Sequence, residues 1–411
     1  MENWIATVMP PFSIRGNQFS KPNVTAENCS PPQSASKEAQ TLRCFFSALR
    51  LNRYQARQKP TAQRRYRRPI TTMNTDALKS TAASLVAKGK GILAIDETVG
   101  TITKRFNALG IESTEDSRRD YRSLLGGAPG AGEHVSGAIL FDETIRQATL
   151  DGTPIPAAFK QNGIQTGIKV DKRTYDLAGC PGEVITEGLD GLRDRLAEYR
   201  ELGASFCKWR GVFKITADIP TTTAIHSNAH ALARYAALCQ EQGLVPIVEP
   251  EVLMDGDHDL QRCGEVTAAV QKEVFSELAA QGVCWEGMLL KPNMVIPGKD
   301  CPTRASVDEV ADATLSCLNE TVPHAVAGIV FLSGGQSAQL ATRHLNAMNQ
   351  KGEQPWPLSF SYGRALQNEA MAAWAGDVGK TAEAQKLFLH RAKCCSAACL
   401  GEYTDELEAA G

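Results

Sequence analysis

A regular alternation of short apolar runs and longer amphipathic stretches fills the sequence from about residue 75 onward. Amphipathic stretches such as LDGLRDRLAEYRELG (189–203) carry apolar residues three and four positions apart and end in glycine, which predicts helices. Between them lie eight runs with the composition of buried strands. These runs are GILAID (91–96), SGAILF (136–141), GIKV (167–170), SFCKWRGVFKI (205–215), GLVPIVEP (243–250), GMLLKPN (287–293), GIVFLSGG (328–335) and LSFSYGRA (358–365).

Strands separated by helices predict a parallel sheet, because parallel neighbours need a long crossover connection. Eight of them, starting roughly every 30 to 45 residues, favour a single catalytic domain with the (β/α)8 TIM barrel fold. An open doubly wound sheet is also compatible with this spacing. No GxGxxG or GxxxxGK[ST] motif follows a strand, so the sequence does not indicate dinucleotide or P-loop chemistry.

Charged residues stand at the ends of five predicted strands, and in a parallel barrel these ends open on the face that carries active sites. They are Asp96, Lys169, Lys208, Arg210, Glu249, Glu251 and Lys291. Residues two apart on a strand share a face, so Lys208 with Arg210 and Glu249 with Glu251 should point into one space. Any one of them alone could be a strand-end ion pair. The whole set predicts a functional network, since buried charges are unfavourable unless paired.

Lys291 is the residue of this set with the clearest chemical use. An amine crowded by a second cation such as Lys208, and partly removed from water, loses its proton more readily and can attack a ketone. The product would be a Schiff base. A carboxylate such as Glu249 could then move the protons that imine formation, C–C cleavage and release require.

The last two strands end in residues that suit phosphate. The residues are Ser333, Gly334 and Gly335 in LSGGQS, and Gly363 and Arg364 in SYGRAL. Backbone N–H groups at such positions can approach phosphate oxygens, and phosphate sites after strands seven and eight are frequent in these barrels. The SGG sequence alone could be a tight turn. Arg364 beside it favours phosphate.

The strongest apparent metal motif is DGDHDL (255–260), which holds three aspartates and His258. It has no second histidine at a four-residue spacing. We therefore interpret it as a helix N-terminus with capping acids.

Taken together, the motifs resemble the class I fructose-bisphosphate aldolases over residues 75–403. GILAIDET, RRDYRSLL, GIKVDK, FCKWR, PIVEPE, LLKPNM, FLSGGQS and FSYGRAL occur in the order and spacing of that family. The resemblance implies reversible cleavage of fructose 1,6-bisphosphate to dihydroxyacetone phosphate and glyceraldehyde 3-phosphate, in glycolysis, gluconeogenesis or carbon fixation. It also implies a sugar-phosphate substrate, no metal or other cofactor, and a homotetramer.

The resemblance further implies roles for individual residues. Lys291 would form the Schiff base with the C2 ketone, Glu249 would be the general acid/base, and Asp96 and Lys208 would assist carbinolamine formation and cleavage beside Glu251. The expected C1-phosphate residues are Ser333, Gly334, Gly335, Gly363 and Arg364. The residues expected near the C6 phosphate or the sugar hydroxyls are Thr98, Thr101, Arg118, Lys169 and Arg210. The two threonines stand where the family often has serines.

Two enzyme alternatives and one non-enzyme alternative compete with this interpretation. Transaldolase or deoxyribose-phosphate aldolase also uses a Schiff base, but two phosphate-directed sets of cations favour a bisphosphate. A catalytically reduced binding or scaffold protein would not need a buried, crowded lysine. Many family members end in a mobile tail with a terminal tyrosine, whereas this sequence ends at Gly411. If the chain is complete there, we expect slower protonation of the enamine and retained Schiff-base formation.

The charge distribution separates residues 1–72, a basic leader, from a barrel domain at 73–395 and a short C-terminal tail at 396–411. Residues 1–70 contain twelve of the 44 Lys and Arg residues but three of the 46 acids, so they carry +9 and the rest −11. An Arg-rich, acid-poor leader without an apolar core is typical of a transit peptide, and the alternative is a disordered extension. With an aldolase body, it suggests the plastid stroma, with cytosol and mitochondrion as alternatives.

The acidic body argues against nucleic acid as a partner, and no apolar run approaches the ~20 residues that span a membrane.

Overall fold

A computed structural model describes residues 74–411 of the chain, and the predicted leader lies outside the described residues. Ten strands are present in this range. They are β1 (Gly91–Ala94), β2 (Val135–Leu140), β3 (Gln165–Lys169), β4 (Arg173–Asp176), β5 (Val184–Glu187), β6 (Phe206–Phe213), β7 (Val245–Val252), β8 (Leu289–Leu290), β9 (Ile329–Phe331) and β10 (Leu358–Tyr362).

Helices alternate with these strands along the chain. They are α1 (Thr75–Leu85), α2 (Val99–Asn107), α3 (Glu115–Gly126), α4 (Asp142–Ile145), α5 (Ile155–Gln161), α6 (Leu192–Glu201), α7 (Thr222–Glu241), α8 (Leu260–Ala280), α9 (Val307–Thr321), α10 (Ala338–Gln350), α11 (Arg364–Trp374), α12 (Thr381–Ala398) and α13 (Asp405–Ala409). Within residues 74–411, none of them combines the length and the apolar character that crossing a membrane requires.

Eight strands form a closed parallel barrel in the order β1, β2, β3, β6, β7, β8, β9 and β10, which confirms the predicted (β/α)8 fold. The closing pair is β1 with β10, where Ile92 lies opposite Ser361. This pairing excludes the open sheet. The two remaining strands, β4 and β5, form an antiparallel hairpin after β3. The hairpin was not predicted, because β4 is exposed along its whole length and carries no apolar run.

Each of the eight predicted runs overlaps one barrel strand, but two strands are much shorter than the run. The strand β8 ends before Pro292, which has no N–H group to donate to a neighbouring strand. The strand β9 ends at Phe331, and beyond it Gly334 and Gly335 take φ angles of 58° and 87°. Such positive φ angles belong to turns rather than to strands.

Apolar side chains fill the N-terminal end of the barrel. Helix α1 contributes Leu78 and Leu85 to a buried cluster with Phe206, Val245 and Leu289 from the strands. Glycine is required at position 167, since a Cβ atom there would collide with the ring of Phe206. The barrel therefore has an apolar floor, and the polar strand ends lie at the opposite, C-terminal end.

Two sequence interpretations concern the helix ends. Asp259 caps α8 by accepting a hydrogen bond from the backbone N–H of Arg262, as the reading of DGDHDL predicted. The last long helix, α12, continues to Ala398 and so crosses the expected domain boundary at residue 395. Helix α13 then contacts the body through an ion pair of Arg343 with Asp405 at 2.6 Å.

Candidate active site

A cavity of about 430 Å³ opens at the C-terminal ends of the barrel strands. All but two of the site residues expected from the sequence line it. They are Asp96, Thr98, Thr101, Lys169, Lys208, Arg210, Glu249, Glu251, Lys291, Ser333, Gly334, Gly363 and Arg364. The exceptions are Arg118 and Gly335.

Lys291 follows β8 and reaches the cavity from the strand's inward face. Its backbone N–H donates to the carbonyl of Val248 over 2.8 Å, so the pairing with β7 extends to this residue. Leu289, two positions earlier, is part of the apolar floor. The side chain of Lys291 is 5% exposed, and its Nζ lies 3.1 Å from Oε1 of Glu249. The amine is thus held beside a carboxylate that can take its proton.

Lys208 occupies a central position between two carboxylates. Its Nζ lies 2.7 Å from Oδ2 of Asp96 and 3.1 Å from Oε2 of Glu249. Burial alone would lower the pKa of Lys208, but the charges of Asp96 and Glu249 outweigh burial and raise it above the ordinary value. Lys208 therefore remains an ammonium group at any physiological pH.

The two carboxylates respond in the opposite direction. Burial would raise the pKa of Asp96, yet Lys208 and Lys291 together lower it to about 2. The pKa of Glu249 is also lowered, since Lys208 and Lys291 overcome the effect of burial. The Oε2 atom of Glu249 forms an ion pair with Lys208 at 3.1 Å but accepts no well-aligned hydrogen bond within residues 74–411. A buried, ionised oxygen of this kind can accept a proton or a substrate hydroxyl.

Two further ion pairs border this centre. The Nζ of Lys169 contacts the carboxylate of Asp171 and donates to its carbonyl over 2.8 Å. Burial lowers the pKa of Lys169 despite the opposing charge of Asp171. Arg210 pairs with Glu251 at 2.8 Å, and this contact overcomes burial and raises the pKa of Arg210. Both cations remain next to the cavity, where they can meet an anionic group.

The loops after β9 and β10 form the other end of the cavity. Gly363 is the N-cap of α11, and Arg364 is the first residue of this helix. A helix N-terminus attracts anions through its free N–H groups. Gly335 does not line the cavity, but a Cβ atom there would lie 3.5 Å from Nη2 of Arg364 and 3.3 Å from Sδ of Met254. The contact with Met254 would be tight, and the φ angle of 87° in addition favours glycine at this position.

Arg118 lies outside the cavity lining and is committed to another partner. From α3, its Nε and Nη2 atoms donate to the two carboxylate oxygens of Glu143 over 2.8 and 2.5 Å. The structure does not bring it to the other strand-end cations.

Sequence reasoning missed two cations that do line the cavity, Lys104 and Arg105. Both lie on α2, which Thr98 caps. Thr98, Thr101 and Arg105 recur at spacings of three and four residues, so a helical-face argument would have found Arg105. Arg105 contacts Glu97 and donates to the side-chain oxygens of Gln367 and Asn368, both over 3.1 Å.

Ser361 was also missed, although it belongs to a predicted strand. Its side chain lines the cavity, and its Oγ is buried without a hydrogen-bond partner in the described part of the chain. The alternation of β10 would have placed it inward, because it lies two residues before Gly363.

A larger groove, of about 840 Å³, lies between α8 and α9. None of the strand-end charges lines it, so it is separate from the candidate active site. Within residues 74–411, the His, Cys, Asp and Glu groups close enough to share a metal ion also lie away from the cavity.

Comparisons with known proteins find relatives that match most of the chain. The family model described as fructose-bisphosphate aldolase class-I matches residues 77–411. A probable fructose-bisphosphate aldolase class 1 from Xylella fastidiosa (strain Temecula1) is 57% identical over 332 residues, which are 80% of this chain and 99% of the relative. The cytosolic fructose-bisphosphate aldolase 4 of Arabidopsis thaliana is 49% identical over 344 residues, or 84% and 88% of the two chains. The solved fructose-bisphosphate aldolase of Plasmodium falciparum, in complex with TRAP and a small-molecule inhibitor, superposes with a TM-score of 0.79. It is 46% identical and covers 80% of this chain and 95% of that one.

Proposed function

Since the chain belongs to the class I fructose-bisphosphate aldolase family and is a lyase of fructose 1,6-bisphosphate, we propose that Lys291 forms its Schiff base. The observation that carries this assignment is the position of Lys291. Its nearly buried amine lies 3.1 Å from an ionised carboxylate inside a cavity lined by further cations.

The first half of the reaction needs Lys291 as an uncharged amine. The proton passes to Glu249, and the amine nitrogen adds to the C2 carbonyl of the substrate to give a carbinolamine. Glu249 then returns a proton to the carbinolamine hydroxyl, which leaves as water as the C=N bond forms. The ammonium of Lys208 stabilises the oxyanion that develops during addition.

The second half breaks the bond between C3 and C4. A base removes the C4 hydroxyl proton, the electron pair of the C3–C4 bond moves into the iminium, and glyceraldehyde 3-phosphate departs. Glu249 is the base, and Asp96 holds Lys208 in position. Protonation of the resulting enamine at C3, followed by hydrolysis, releases dihydroxyacetone phosphate and regenerates Lys291. The proton that Glu249 takes from the C4 hydroxyl balances the one added at C3, and hydrolysis consumes the water that iminium formation released.

The two ends of the cavity bind the two phosphates. Ser333, Gly334, Gly363 and Arg364 bind the C1 phosphate through N–H groups and a guanidinium. The set for the C6 phosphate and the adjoining hydroxyls is Thr98, Thr101, Lys104, Arg105, Lys169 and Arg210. Arg105 takes the place that the sequence interpretation gave to Arg118, because Arg105 lines the cavity and Arg118 does not. Cations at both ends suit a bisphosphate better than a monophosphate.

Trapping of the intermediate tests this assignment. The protein is incubated with dihydroxyacetone phosphate, reduced with borohydride, digested and analysed by peptide mass spectrometry. We expect a single adduct on the Lys291 peptide, and none in Lys291→Arg. An adduct on Lys208 or Lys169 instead would overturn the assignment.

We also propose that residues 1–72 are a transit-like leader for the plastid stroma, ahead of a catalytic domain that assembles as a homotetramer. The leader's positive charge and acid-poor composition support targeting to an organelle. Similar proteins include bacterial enzymes and plant enzymes described as cytosolic. A fluorescent fusion of residues 1–75 separates plastid, mitochondrion and cytosol, and light scattering of the purified protein gives the subunit number.

A further inference from the structure

Four side chains on the outer helices α7 and α8 form a compact group, which we call the two-helix cluster. Its members are His226 and His230 on α7, and Glu273 and Glu277 on α8. The Nδ1 atom of His226 lies 2.6 Å from Oε1 of Glu273 and 3.6 Å from Oε1 of Glu277. The Nδ1 atom of His230 lies 2.9 Å from Oε2 of Glu277. The carboxylate of Glu277 thus contacts both imidazoles.

The spacing of the residues explains why the cluster is already assembled. Both pairs are four residues apart, so each pair occupies one face of its helix in successive turns. The two imidazole rings lie nearly parallel, at an interplanar angle of 27° and a centroid distance of 6.3 Å. The ligand atoms of His226, Glu273 and Glu277 lie within 4.8 Å of one another, and His230 adjoins this group through its contact with Glu277.

Apart from its own histidines, the cluster has no cationic partner among the described residues. Within residues 74–411, neither Glu273 nor Glu277 forms an ion pair with a lysine or arginine. Lys272, which adjoins Glu273 in the sequence, pairs instead with Glu320 on α9 at 2.5 Å. The side chain of Glu277 is only 16% exposed, so water solvates its charge incompletely. The hydrogen bond to Glu273 raises the pKa of His226, so a protonated His226 balances part of this charge, and a bound metal ion would replace that proton.

We propose that the two-helix cluster binds a divalent transition-metal ion of the Zn²⁺ class. Imidazole nitrogens combined with carboxylate oxygens are typical ligands of Zn²⁺, whereas Mg²⁺ and Ca²⁺ favour oxygen ligands alone. The bound ion joins α7 to α8. These helices follow β6 and β7, the strands that carry Lys208 and Glu249, so the ion stabilises that sector of the barrel without contacting the substrate.

Metal binding and thermal unfolding of the full chain test the proposal. After removal of metal by a chelator, Zn²⁺ is titrated calorimetrically, and the melting temperature is measured with Zn²⁺ or Mg²⁺. We expect one Zn²⁺ ion per chain at this cluster and a melting temperature that rises with Zn²⁺ but not with Mg²⁺. The affinity should fall at least about tenfold in His226→Ala/His230→Ala and in Glu273→Gln/Glu277→Gln. The melting shift should disappear in both.

Two matched variants identify the site. Lys272→Ala/Glu320→Gln removes the neighbouring interhelical ion pair and should leave the Zn²⁺ affinity unchanged. His390→Ala removes a ligand from a second group of potential donors, formed with Cys394 and Glu408, and should also leave it unchanged. His226 is exposed and the other three members are only partly buried, so the variants should fold. If a double variant does not fold, His226→Ala alone tests the site. The proposal is overturned if Zn²⁺ has no effect on the wild-type chain, or if binding survives in both cluster variants.

Discussion

The Oε1 atom of Glu249 lies 3.1 Å from the Nζ atom of Lys291. The distance is short enough for direct proton transfer between the two groups. In the mechanism that we propose, the pair, rather than the lysine alone, is the unit that forms the Schiff base.

Replacement of Lys291 should abolish turnover. In Lys291→Met the covalent route is lost, and we expect kcat for fructose 1,6-bisphosphate to fall by at least about 10³-fold. A coupled assay of triose phosphate release measures the loss. Lys291→Arg keeps the charge next to Glu249 and should be equally inactive. Substantial activity in either variant would contradict the assigned nucleophile.

Replacement of Glu249 should slow proton transfer while the nucleophile remains. We expect Glu249→Gln to lower kcat by roughly 10²- to 10⁴-fold, the usual range for a general acid/base. Prolonged incubation with dihydroxyacetone phosphate and borohydride should still label Lys291. Glu251→Gln is the matched comparison, because Glu251 contacts Arg210 and not Lys291. An equal loss in both variants would argue against a special role for Glu249.

Asp96 should make stability depend on acid pH. Its pKa is lowered to about 2 in the folded chain, below the ordinary value of 3.8. The contribution of Asp96 to the free energy of unfolding is therefore complete above pH 4 and is lost as the pH falls toward 2. This contribution is about 2 kcal/mol. Urea unfolding at several pH values measures the free energy of unfolding. Between pH 4 and pH 2 this free energy should decrease less in Asp96→Asn than in the wild-type chain. If the free energy of unfolding falls equally with pH in both proteins, Asp96 is not the group responsible.

Arg105 and Arg118 should differ in their effect on substrate choice. If Arg105 binds the C6 phosphate, Arg105→Ala should lower kcat/KM for fructose 1,6-bisphosphate by roughly 10- to 100-fold, the value of a charge-assisted contact. It should change kcat/KM for fructose 1-phosphate far less, because that substrate lacks the C6 phosphate. Arg118→Ala breaks the pair with Glu143 and should lower the melting temperature without altering the ratio of the two substrates. If Arg118→Ala, and not Arg105→Ala, changed the ratio of the two substrates, Arg118 would be the residue that binds the C6 phosphate.

The positions of the charged residues in the barrel could be predicted from the sequence, because successive side chains of a strand alternate between only two faces. Alternation alone placed Lys208 with Arg210, and Glu249 with Glu251, on the face that lines the cavity. The same argument is weaker for helices, whose side chains can point in many directions. Arg118 illustrates this, since the sequence of α3 does not show that Glu143 is within its reach.

Features that depend on the packing of separate elements could not be predicted. The two-helix cluster requires the relative position of α7 and α8, which no local pattern encodes. Arg105 is oriented by Gln367 and Asn368, which lie more than 260 residues away along the chain. Pro292 indicates that β8 ends early, so the short length of this strand could be predicted in part. The hairpin of β4 and β5 could not, because β4 is exposed and contains no apolar run.

The apolar floor formed by α1, Phe206 and Leu289 turns the barrel into a well with a single mouth. Substrate and both products must pass through this opening one after another. If Lys291 forms the Schiff base as we propose, glyceraldehyde 3-phosphate leaves while the three-carbon remainder is still covalently attached at the bottom of this well. The attachment and the closed floor together then set the order of product release, and in the synthetic direction dihydroxyacetone phosphate binds first.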